Sequence, residues 1–184
     1  MSDYDQILAS LPYDALAAQL DADPQEVALA AQAALPALLG GLHANAADPA
    51  GELSLLRALT QHDNGLGDVT SGYQIAADQL DAGEGEKISA HVFGGQQDQV
   101  VQALGGLNGV SGDLVKKLIP ILAPIVLSYL AKQMRGKNAA GGSVLSSILE
   151  QVLSGAAQGS GSSRMSAGSI ISDVLGGLLG GGRR

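Results

Sequence analysis

The sequence has no cysteine and no tryptophan, and only one phenylalanine and four tyrosines in 184 residues. Without cysteine there are no disulfides, no thiol nucleophiles and no structural zinc sites of the Cys type, which fits a reducing compartment. With so few rings the core has to be aliphatic, and the stacking platform that binds single-stranded nucleic acid is missing. Basic charge is scarce as well. Through Val110, Arg57 and Lys87 are the only Lys or Arg residues against fifteen carboxylates, a balance of −13. Such a surface repels phosphate backbones, so nucleic acid is not an expected partner. From Ser111 onward the balance turns to +5, giving an acidic body and a mildly basic tail. The acidic N-terminal stretch MSDYDQILAS reads as neither a secretory signal nor a transit peptide. The longest unbroken apolar run, Leu118 to Leu127, is shorter than the about 20 residues of a membrane span. A cytoplasmic protein is the expectation.

What remains is rich in alanine and leucine, the best helix formers, and poor in strand formers over residues 1–110. The segment LIPILAPIVLSYL, Leu118 to Leu130, is apolar on every face and so must be buried by neighbours. It has a fainter echo 88 residues earlier. Aligning Pro124 with Pro36 pairs Asp23 with Ser111, Val27 with Val115, Leu39 with Leu127 and Leu42 with Leu130. The expected fold is all-α, a multihelical single domain around two buried central helices. Val27, Pro36, Leu39, Leu118, Leu122, Pro124, Ile125 and Tyr129 are its predicted core residues.

Local signals divide the body further. Asp3 to Ala9 and Asp14 to Leu20 read as short helices separated by Leu11-Pro12. Asp23-Pro24-Gln25-Glu26 is a strong start, with an N-cap carboxylate, proline at the first helical position and an acid in the first turn. That helix is predicted to end near Leu39, at Gly40-Gly41, with a kink or early end at Pro36. Asp48-Pro49 opens a helix to about Gln61, with Leu53, Leu56, Leu59 and partly Leu55 on its apolar face. Glu84 to Val92 is predicted to close at Gly94-Gly95, and Gln97 to Leu104 at Gly105-Gly106. Ser111 caps the central helix, with Asp113 near its positive end and Lys132 and Arg135 at its negative end.

The body is predicted to span residues 1–135, and a Gly/Ser/Ala-rich flexible tail to span 136–184. The tail holds a repeat of period 26: GSVLSSIL (142–149) matches GSIISDVL (168–175), and Val152-Leu153 matches Leu178-Leu179. Each copy reads as a short amphipathic helix with an apolar face, Val144, Leu145, Ile148 and Leu149 in the first and Ile170, Ile171, Val174 and Leu175 in the second. Helices this short are marginal alone in water and need a surface: their own body, another protomer or something else. These eight residues are the candidate interaction residues.

Chemistry is hard to find. His43, His62 and His91 are the only candidates for acid–base work near neutral pH, and none has the spacing of a metal pair. The loop Asp63-Asn64-Gly65-Leu66-Gly67-Asp68 lacks the alternating ligands and the bidentate glutamate of a calcium loop. Gly94-Gly95 and Gly105-Gly106 follow helices rather than precede them, so they read as C-caps and not as phosphate cradles. No cofactor, metal or catalytic residue is expected.

The segment GEKISAHVFG (85–94), the valine pair Val100-Val101, the Ser-capped LIPILAPIVLSYL helix, and the earlier LPALLGGL and QHDNGLGD resemble the YidB-like bacterial family, domain of unknown function 937. The resemblance covers roughly residues 4–135 and implies a multihelical fold with two buried central helices. It brings no activity, cofactor or catalytic residue. One departure is the alanine-rich first central helix, which is expected to pack closely. In HVFG, Val92 and Phe93 read as core anchors and His91 as a local hydrogen-bonding residue. The functional expectation is a non-enzymatic interaction or scaffold protein that self-associates or binds a partner through its tail helices. Association of the tail with a membrane surface is the alternative, and an enzyme built on His91 and the carboxylates of 81–86 ranks last.

Overall fold

The computed structural model describes residues 3–61, 82–106, 110–136 and 142–159. Among them lie eight α-helices and one 3-10 turn: α1 (Asp3–Ala9), α2 (Tyr13–Leu20), α3 (Pro24–Ala47), α4 (Pro49–Gln61), α5 (Ala82–Phe93), the turn Gly94–Gln96, α6 (Gln97–Gly105), α7 (Gly112–Gly136) and α8 (Gly142–Gly159). The all-α expectation holds. Helices α3 and α7 pack on each other at the centre; α5 and α6 cover α7, while α2, α4 and α8 cover α3.

The echo between the halves is structural. Asp23 N-caps α3, its carboxylate accepting from the Gln25 amide at 2.8 Å. Its counterpart Ser111 stands directly before α7 and accepts the Val115 amide on its carbonyl at 3.0 Å. Val27, Leu39 and Leu42 on α3 are buried, as are Val115, Leu127 and Leu130 on α7. The remaining predicted core residues, Phe93, Leu118, Leu122, Ile125 and Tyr129, are buried, and so are Pro36 and Pro124. In α3, Ala30, Ala31, Ala33, Ala34 and Ala37 are buried together, the small-residue face that lets neighbours approach closely.

Proline does not end either central helix. Each proline lacks an N–H and so orphans the carbonyl four residues before it. For Pro36 that carbonyl is Gln32, and the Tyr4 hydroxyl of α1 donates to it at 3.1 Å. For Pro124 it is Pro120, whose carbonyl oxygen occupies the place a Cβ would take at Gly85 on α5. Only glycine admits this approach, which brings its α-hydrogen to the oxygen as a weak donor.

Two local expectations need correction. Helix α3 passes through Gly40-Gly41 and ends at Ala47. Gly41 is a packing notch rather than a stop: a Cβ there would lie 2.7 Å from Val92 Cγ1 and 3.0 Å from the Phe93 ring. Four residues on, Asn45 donates its amide to the carbonyls of Gly41 and Val92, at 3.0 and 2.8 Å, tying α3 to the C-terminus of α5. On α4, Leu55 and Leu59 are buried and Leu56 half-buried, while Leu53 is 60% exposed. The apolar stripe is therefore rotated away from Leu53, because Leu55 and Leu59, one turn apart, face α3 and α7. Elsewhere the glycine reading stands: Gly94 ends α5 in the left-handed region at φ +56.

The C-terminal segment brings the larger difference from a flexible tail. The first repeat copy lies in α8, an 18-residue helix whose Leu145, Ile148, Leu149, Val152 and Ala156 are buried against α1, α3 and α7. The loop 62–68 and the second repeat copy, with Ile170, Ile171, Val174 and Leu175, lie outside the described residues.

Candidate functional site

Among the described residues, three places bring polar groups together. The first is the junction of the chain's two ends. Gln151 of α8 donates to Asp3 of α1 at 3.0 Å. The Tyr129 hydroxyl of α7 bonds to the same carboxylate and accepts from Gln133 at 2.8 Å. Burial and the Asp3 carboxylate hold the Tyr129 hydroxyl well above the usual tyrosine range. This cluster is a structural tie among three helices.

The second is a concavity of about 500 Å³ where α2 meets the start of α3. Its rim carries the carboxylates Asp14, Asp21, Asp23 and Glu26, and Asp23 is already used as the N-cap.

The third is a cleft of about 400 Å³ between α4 and α5. Leu55, Ile88, Val92 and Leu127 close it from beneath. Arg57 on α4 and Glu84, Lys87 and His91 on α5 form its polar rim. The helix explains the rim: positions 84, 87 and 91 follow one face at i, i+3 and i+7. Glu84 and His91 do share a cleft, yet seven residues of helix separate them by about 10 Å of rise. They are too far apart to form a hydrogen-bonded acid–base pair. Arg57 and Lys87 are exposed, and neither makes an ion pair with a described residue.

The other histidine expectations resolve differently. His43 lies inside α3 because that helix continues past Gly41; it is half-buried, and its Nδ1 is buried without a hydrogen-bond partner. His62 lies outside the described residues. Among the described residues no group of three or more His, Asp or Glu is arranged to hold a metal ion.

Of the candidate interaction residues, Leu145, Ile148 and Leu149 are buried in the body's own core and Val144 is half-buried against it. In this arrangement the apolar face of the first copy is not offered to a membrane or a second protein. The two central helices, at 24 and 25 residues, are long and apolar enough to cross a membrane by length and composition alone. Helical flanks on both sides of the apolar run supply that length, which the run alone lacked. In the fold, most of each apolar window is covered by protein.

The described residues form a multihelical all-α domain with two buried, proline-bearing central helices. The profile of the bacterial proteins of unknown function, DUF937, matches residues 5–133, and the chain belongs to that family. The YidB-like resemblance agrees with this membership. No curated protein and no solved structure matches the chain.

Proposed function

We propose that the protein is a non-enzymatic interaction module that self-associates through its C-terminal repeat. One observation carries the reading: the body has a seat for one repeat helix, and the sequence holds two. The buried α8 residues Leu145, Ile148, Leu149 and Val152 correspond at period 26 to Ile171, Val174, Leu175 and Leu178. A second segment of the same sequence pattern is suited to the same seat on another protomer, by exchange with α8. The acidic body and the Arg183-Arg184 end of the chain favour such docking electrostatically. Light scattering after size exclusion tests it with the full chain, a chain ending at Gly159 and the variant Ile171→Asp/Leu175→Asp. Concentration-dependent dimers or larger species are expected for the full chain alone. A monomeric mass for all three at high concentration would end the self-association reading.

The reading includes a cytoplasmic location, which the protein-covered central helices support. Fractionation into the soluble lysate is the expected result, and recovery of the chain with washed membranes would contradict it.

A further inference from the structure

The two cations of the first 110 residues stand on the same cleft. Arg57 and Lys87 are 30 positions apart in sequence, are the only Lys or Arg residues through Val110, and meet on the rim of the α4–α5 cavity. Fifteen carboxylates are distributed over the same stretch of chain, and the other concavity described above is rimmed by four of them. We propose that the α4–α5 cleft binds an amphipathic anion, an alkyl chain ending in a carboxylate or phosphate.

Three observations converge on this class of ligand. The cavity of about 400 Å³ falls in the range of roughly 300–1,000 Å³ usual for small-molecule sites. Its base is aliphatic, Leu55, Ile88, Val92 and Leu127, which suits an alkyl chain and leaves the hydroxyls of a sugar without partners there. Its rim supplies donors from two helices, a guanidinium on α4 and an ammonium and imidazole on α5, so an anionic head would be held from both walls. Glu84, also on the rim, offsets one of these charges and leaves a cationic surplus of one before any charge on His91. The residues that line this cleft come from α4, α5 and α7, none from α8.

The test uses the full chain at low ionic strength, where exposed charges are least screened. Decanoate is titrated calorimetrically beside decanol, and nuclear magnetic resonance maps the shifted amides. The expected result is saturable decanoate binding that shifts residues of α4 and α5, with decanol bound about tenfold more weakly. The double variant Arg57→Gln/Lys87→Gln should lose that preference while keeping its helical circular dichroism, since both side chains are exposed. Flotation with vesicles containing phosphatidate, against purely zwitterionic vesicles, separates a lipid headgroup from a free acid as the source. Vesicle binding that depends on Arg57 and Lys87, without decanoate binding, assigns the site to a lipid. Equal affinity for decanoate and decanol, binding unchanged in the double variant, or no binding to decanoate or vesicles would overturn the proposal.

Discussion

The Tyr4 hydroxyl donates to the Gln32 carbonyl at 3.1 Å, and that carbonyl is the acceptor Pro36 cannot use. A proline deep in α3 is thus tolerated because a side chain from α1 replaces the missing backbone donor. Tyr4 is itself buried, and burial holds its hydroxyl in the neutral, donating form.

That relationship predicts a coupling. Tyr4→Phe leaves a buried carbonyl without a partner and should lower stability by about 1–3 kcal/mol in denaturant unfolding. In a Pro36→Ala background the new amide satisfies Gln32, so the same change should be milder by about 0.5 kcal/mol or more. Equal losses in both backgrounds would mean that the hydroxyl does not serve the orphaned carbonyl.

The glycines should separate into two groups. Gly85→Ala places a methyl where the Pro120 carbonyl oxygen lies, and the backbones of α5 and α7 would have to part. The expected result is a loss of about 3 kcal/mol or more, or failure to fold. Gly40→Ala meets nothing within 4 Å and should be neutral or stabilising by up to about 1 kcal/mol. Thermal melts of the two variants side by side decide it.

Helix α8 should behave as core. Leu149→Ala is expected to cost about 2–5 kcal/mol, comparable to Leu122→Ala on α7. A change near zero, as for a surface tail, would show that α8 does not hold its seat in solution.

Alkaline pH should unfold the protein cooperatively. Burial raises the hydroxyls of Tyr4 and Tyr129 and pushes Tyr13 up to about 12. Each folded value lies above the about 10 of an unfolded tyrosine. The folded state therefore holds these protons longer, and their contribution is complete below about pH 10 and is lost as pH rises through the folded values. Tyrosinate absorbance and helical circular dichroism should change together above pH 10; ionisation of all four tyrosines near pH 10 with the helices intact would contradict this.

The central helices were legible because their signals are local and redundant. Asp23-Pro24 marks a start by itself, and the spacing around Pro36 and Pro124 placed Val27, Leu39 and Leu42 beside Val115, Leu127 and Leu130 as buried counterparts. Gly40-Gly41 and Gly94-Gly95 look alike in sequence, yet one is a packing notch and the other a helix stop. What separates them is the approach of Val92 to Gly41, a contact between residues 51 apart in the chain. The cleft was half legible. Arg57 and Lys87 stood out as isolated cations, but their meeting depends on how α4 and α5 lie over α7. The docking of α8 was one of several surfaces its apolar face allowed, and only the fold chose among them.

The bond between Asp3 and Gln151 spans 148 residues of chain. On a ribosome, α1 emerges well before α8 and until then is held by its contact with α3, through Tyr4 and Gln32. The seam with α8 therefore closes only after that helix has left the exit tunnel, later than the packing of α3 on α7 can form. In that interval the seat of α8 is open, and adjacent chains on one message are present at high local concentration. Exchange of repeat helices between protomers would then be decided at birth, by which helix arrives first.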